Sequence, residues 1–126
     1  MGALRVFKTK WFQRFAQRER IADPALLEAV ARAERGQIEA DLGGGVIKQR
    51  VARPGQGRSG GYRAIILFRH GDHAVFMYGF AKSDRDNIRS DEEKEFKEAA
   101  KHVLALTEKQ LAELVKQGDF AEVKGT

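Results

Sequence analysis

Tyr62-Arg-Ala-Ile-Ile-Leu-Phe-Arg-His-Gly-Asp-His-Ala-Val-Phe-Met-Tyr-Gly-Phe80 is two apolar runs joined by His70-Gly-Asp-His73. Each run is short, apolar on both faces and rich in β-branched and aromatic residues. Gly71-Asp72 is a turn signal, so the stretch reads as a hairpin of two buried strands. Just upstream, Gly43-Gly-Gly45 breaks the pattern and opens Val46-Ile-Lys-Gln-Arg-Val51. Side chains alternate across a strand, which puts Ile47 and Val51 on one face and Lys48 and Arg50 on the other. The three strands predict an antiparallel meander whose last two members are central and whose first carries two cations on one face.

Toward the N-terminus, Leu4-Arg-Val-Phe-Lys8 alternates apolar and basic residues and predicts a strand at a sheet edge. Thr9 is placed to cap a helix on which Trp11, Phe12, Phe15 and Ala16 repeat at three-to-four spacing. Asp23-Pro24 marks a second helix start, Asp at the cap and Pro at the first helical position, followed by a stripe of Leu26, Leu27, Val30 and Ile38. From Asp91 onward, Phe96, Ala99, Ala100, Val103 and Leu104 have helical spacing. Thr107-Glu-Lys-Gln110 is a capping box for a last helix carrying Leu111, Leu114 and Val115, ended by Gly118. The expected fold class is α+β: a mainly antiparallel twisted sheet with an N-terminal helical hairpin on one face and C-terminal helices near the other. Residues 1–90 form the core, and residues 91–126 a C-terminal helical extension of the same domain.

A chain of 126 residues fits one domain. It has no cysteine, which excludes disulfides, thiolate catalysis and cysteine-based zinc sites. No stretch approaches the ~18 apolar residues of a membrane span, and the start lacks the apolar run of a secretory signal. A soluble, cytoplasmic protein with no membrane partner is expected. The net charge of +5 is uneven: residues 44–90 hold 9 basic and 3 acidic groups, residues 91–126 hold 6 and 9. Clustered cations are the footprint of a polyanion, because each one that meets a phosphate releases condensed counterions.

Gly55-Gln-Gly-Arg-Ser-Gly60 matches a dinucleotide fingerprint in letters, but a strand follows where the fingerprint needs a helix. His70 and His73 at the hairpin joint read as surface histidines, and Asp84 and Asp86 as trims of local charge. No cofactor and no metal are expected. What remains is Lys48, Arg50, Arg53, Arg58, Arg63, Lys82, Arg85 and Arg89, with Tyr62 and Tyr78 interleaved. Basic groups beside aromatics suit single-stranded RNA, holding phosphates while bases stack. Arg63, in an otherwise apolar strand, needs an anion: an RNA phosphate, or an acidic residue of the C-terminal helix.

In order along the chain, the basic strand entered by Gly43-Gly-Gly-Val-Ile-Lys-Gln-Arg50, the element Gly61-Tyr-Arg63 and the closing Gly79-Phe-Ala-Lys-Ser-Asp-Arg85 resemble the RelE/HigB family of toxins, over residues 4–90. The resemblance implies a metal-independent endoribonuclease that cleaves mRNA, on or off the ribosome, and is silenced by a cognate antitoxin protein. It implies catalytic roles for Lys48, Arg50, Arg63, Lys82 and Arg85; the run of cations and aromatics leaves RNA-binding roles for Arg53, Arg58, Tyr62, Tyr78 and Arg89. Two other readings stay open: a ParE-like toxin that shares the fold but binds DNA gyrase without cutting RNA, and a non-catalytic nucleic-acid-binding domain. Some family members carry a tyrosine near the end of this core, where this chain has Asn87-Ile88.

Overall fold

The computed structural model describes residues 4–52 and 61–124. In chain order the elements are β1 (Arg5–Thr9), α1 (Lys10–Glu19), α2 (Asp23–Glu34), β2 (Ala40–Gly43), β3 (Val46–Val51), β4 (Tyr62–Arg69), β5 (His73–Ala81), α3 (Ser90–Val103), α4 (Glu108–Lys116) and β6 (Phe120–Val123). The fold is α+β, one six-stranded sheet in the order β2-β3-β4-β5-β1-β6. All neighbours are antiparallel except β1 and β5.

The meander β3-β4-β5 is present as the three runs and their turn signal predicted, turning through Gly71 at φ 75°. Thr9 caps α1, its hydroxyl accepting from Phe12 N at 3.2 Å, and Thr107 and Gln110 form the capping box of α4. Three expectations change. β1 is an interior strand, because residues 120–123 return to pair with its free side. The C-terminal segment therefore contributes a strand as well as helices. Asp23 is the first residue of α2 and not its cap; Ala22 holds that position without a side-chain bond.

Strand alternation sorts the core into two clusters. Phe12, Phe15 and Ala16 of α1 and Leu26, Ala29, Val30 and Ala33 of α2 pack with Ile47, Val51, Tyr62, Ala64, Ile66, Ala74 and Phe76. Ala100, Leu104 and Leu111 of the C-terminal helices pack with Phe7, Val46, Ile65, Leu67 and Val75. Helices thus serve both faces of the sheet. Gly45 lets α3 come close: a Cβ there would lie 2.5 Å from Leu104 Cδ1.

The pairing of β4 with β5 carries one irregularity. Ile65 pairs with Tyr78 but Ile66 pairs with Phe76, so Met77 is an extra residue, a β-bulge. The bulge breaks the alternation of β5. Phe76 faces α1, while Tyr78, two residues on, packs with the cluster on the other face.

Candidate functional site

Lys48 and Arg50 of β3 share a sheet face with Val46, and Arg63 of β4 shares it with Ile65. Register sets two rows across the strands: Arg50 opposite Arg63 opposite Phe80, and Lys48 opposite Ile65 opposite Tyr78. Two arginines directly opposite one another repel, and Arg63 is only 5 % exposed. The compensating anion is Glu39, just before β2. Its Oε1 accepts from Arg63 Nε at 2.8 Å and from Arg50 Nε at 3.1 Å. The partner of Arg63 is therefore in the segment leading to β2, not in the C-terminal helix.

Glu39 is itself positioned by a buried amide. Gln49, 1 % exposed, occupies a core-facing place between Ile47 and Val51. Its Nε2 donates to the carbonyls of Ala29 (3.0 Å) and Gln37 (2.9 Å), and its Oε1 accepts from Glu39 N at 3.2 Å. These bonds pin the segment from α2 to β2, so that the carboxylate projects across to the arginines. Beside them lies an open depression of about 400 Å³ lined by Arg32, Gln37, Glu39, Gln49 and Arg50 among others.

The second group surrounds Tyr78. Arg85 Nη1 donates to the Tyr78 hydroxyl at 2.9 Å, Arg85 Nε donates to Asn87 O at 2.8 Å, and the guanidinium pairs with Glu92 in the first turn of α3. It also lies 5.7 Å from the Tyr78 ring centroid and 5.8 Å from that of Phe80. The hydrogen bond from Arg85, then that from the Arg89 amide, holds the Glu92 carboxyl below the usual carboxylate range; Glu92 in turn raises Arg85. Lys48 Nζ reaches Asn87 Oδ1 at 3.3 Å, which joins the two groups. Asn87 is thus part of the site.

The remaining expected residues scatter. Lys82 is exposed and donates to Asp86 O at 3.2 Å, and Arg89 pairs with Asp91 in solvent. Tyr62 is 1 % exposed and on the opposite face, its hydroxyl donating to Glu19 Oε1 at 3.0 Å; it is not brought to the others. Arg53 and Arg58, with the glycine-rich segment between them, lie outside the described residues. His70 is exposed, but His73 is 2 % exposed, held by Asp72 and the Val103 carbonyl, and is no surface histidine. Both sit at the hairpin end of β4, roughly 20 Å along the strand from Arg63.

A family model described as the RelE toxin of the RelE/RelB toxin–antitoxin system matches residues 4–123. The chain belongs to the RelE toxin family. The match runs through α3, α4 and β6, so the C-terminal segment lies within the matched length. No curated protein matches the chain. Membership makes it a toxin of the toxin–antitoxin kind, with an antitoxin of the RelB type as its partner. Among the described residues no helix is long and apolar enough to cross a membrane.

Sequence reasoning missed Glu39, Gln49, Asn87 and Glu92. Gln49 did leave a signal, a polar residue at a core position of an amphipathic strand. Glu39 left none, because its partner Arg63 is 24 residues away.

Proposed function

We propose that this RelE-family toxin is a metal-independent endoribonuclease acting on mRNA in the cytoplasm, free or on the ribosome. The observation that supports this best is the Arg50–Glu39–Arg63 arrangement: two guanidinium groups from adjacent strands meet on one anionic oxygen. A carboxylate oxygen there stands where a phosphate oxygen would bind, in a geometry arginine favours.

The reaction is attack of a ribose 2′-oxygen on the adjacent 3′-phosphorus. The bond to the next nucleotide's 5′-oxygen breaks, leaving a 2′,3′-cyclic phosphate and a 5′-hydroxyl. Arg63 and Arg50 stabilise the charge that grows on the phosphoryl oxygens, the contribution usually largest in such sites. The substrate supplies its own nucleophile; Glu39, displaced from the two arginines by the incoming phosphate, offers lone pairs to the departing 2′ proton, and the Lys48 ammonium a proton to the leaving oxygen. Tyr78 and Arg85 form a stacking and phosphate-binding wall beside them. Lys82 and Arg89, in solvent, steer RNA toward the sheet by long-range attraction, as Arg53 and Arg58 would.

Incubating the purified chain with mRNA, with and without ribosomes, in the presence of EDTA tests this. The expected outcome is cleavage to cyclic-phosphate and 5′-hydroxyl ends with gyrase supercoiling unaffected. Intact RNA together with inhibited supercoiling would replace this reading with the gyrase one.

A further inference from the structure

Trp11 is the single tryptophan of the chain, and 43 % of it is in solvent. Among the described residues it is the one large apolar side chain so exposed. A lone surface aromatic needs no explanation. Its neighbours give it significance. The indole lies 4.5 Å from the Tyr78 ring at 31°, and 5.5 Å from Phe15 at 16°. The last pair between β1 and β5 joins Lys8 to Phe76, so beyond it α1 runs beside the open edge of β5. Trp11 therefore extends the row Lys48, Tyr78 past the rim of the sheet, and shares the Tyr78 ring with Arg85.

A second observation comes from charge. Lys10, Arg14 and Arg18 are all exposed and fall at steps of four along α1, on a ridge shared with Trp11. Among the described residues neither Lys10 nor Arg14 has an ion pair, and Arg18 has only its half-buried neighbour Glu19 at 3.6 Å. The first turn of α1 carries Lys10 and no acid, the reverse of what a helix dipole favours. By contrast, Arg50 and Arg63 on the strand face share the Glu39 carboxylate, and Arg85 holds that of Glu92. A row of exposed cations that begins at the positive end of a helix, with a single carboxylate at its far end, is a place for an external polyanion.

We propose that single-stranded RNA leaving the basic strand face continues along α1, stacking an unpaired base on Trp11 while its phosphates meet Lys10, Arg14 and Arg18. This rests on the ribonuclease reading and deepens it, since it makes α1 a binding track for unpaired nucleotides next to the scissile one. Stacking would be tolerant of base identity, because every base has a π-face.

The lone tryptophan reports on this directly. A short single-stranded 2′-O-methyl RNA, uncleavable because its attacking oxygen is blocked, is titrated into the full chain. Indole emission is recorded beside the anisotropy of an end-labelled strand. Emission should be quenched saturably, in step with anisotropy; Trp11→Ala should weaken binding about tenfold and Trp11→Phe much less. Replacing Arg14 and Arg18 together with Gln should reduce the slope of log affinity against log salt by about 1.4. Polyphosphate, which has charge but no bases, should bind without quenching.

If anisotropy rises while emission stays flat and Trp11→Ala binds like the wild type, the track is wrong and the ribonuclease reading stands. Quenching by polyphosphate as strong as that by RNA would also exclude base stacking. If neither signal responds to RNA at low salt, the track falls, and the ribonuclease reading is decided separately by cleavage in the presence of ribosomes.

Discussion

The two faces of the sheet are built from the same strands and yet hold together by different physics. On the α1–α2 side, Phe12, Phe15, Leu26, Val30, Ile66 and Phe76 close over one another, and the polar atoms of Gln49 are absorbed by backbone partners. On the other side the apolar cluster under α3 and α4 gives way to Lys48, Arg50, Arg63 and Arg85, kept in place by Glu39, Asn87 and Glu92 through hydrogen bonds and ion pairs. The first face is where stability is concentrated. The second keeps charge at the sheet surface at the cost of desolvating Arg63, a cost that folding alone gives no reason to bear.

The sharpest break of this comparison is a pair of substitutions. Phe12→Ala, at a residue 1 % exposed whose ring lies 5.0 Å from Phe76, should cost about 3–5 kcal/mol in urea unfolding. Arg50→Gln, whose side chain is 47 % exposed, should cost less than about 1 kcal/mol. Similar costs for the two would erase the distinction between the faces.

Glu39→Gln comes next. It leaves Arg63 without an anion where its side chain is 6 % exposed, although the amide still accepts a hydrogen bond. A loss of about 2 kcal/mol is expected, less than for a fully buried pair because Glu39 is itself partly in solvent. No loss would mean that the bridge contributes nothing to the fold.

The smallest effect concerns pH. Because Glu92 titrates below the usual glutamate range when folded, the unfolded chain binds more protons in the interval between, and stability there rises with pH. Its contribution is complete above the ordinary range near ~4 and is lost as pH falls through the depressed value. Glu92→Gln should therefore be less stable than wild type at neutral pH, with the gap closing under acid. A constant gap from neutral to acid pH would remove the Arg85–Glu92 bond as its cause.

How much of the molecule was legible in the sequence depends on the range of the interaction. Alternation in residues 46–51, the two short apolar runs of residues 62–80, the Thr9 cap and the Thr107–Gln110 box are local patterns, and they foretold the meander and the starts of α1 and α4. β6 was not legible: Phe120-Ala-Glu-Val123 is too short to announce itself, and only its pairing with β1 makes it a strand. Strict alternation puts Tyr78 on the Phe76 face; the Met77 bulge moves it beside Lys48, and bulges have no clear sequence signal. Tyr62, next to Arg63, was grouped with the cations by proximity in sequence, but a strand sends neighbours to opposite faces. The cations themselves were visible, and the carboxylates that organise them were not, because Glu39 meets Arg50 and Arg63 only through the folded sheet.

The central claim is that the cations of β3 and β4 act on RNA and do not merely brace the sheet. Single-turnover cleavage at saturating RNA, with EDTA present and thermal unfolding measured in parallel, tests it on wild type, Lys48→Gln and Arg63→Gln. Lys48→Gln should melt like the wild type and Arg63→Gln somewhat lower, with each folded protein cutting on the order of a hundredfold more slowly. Folded variants that both cleave at the wild-type rate would contradict the claim and reduce the Arg50–Glu39–Arg63 bridge to a structural ion pair.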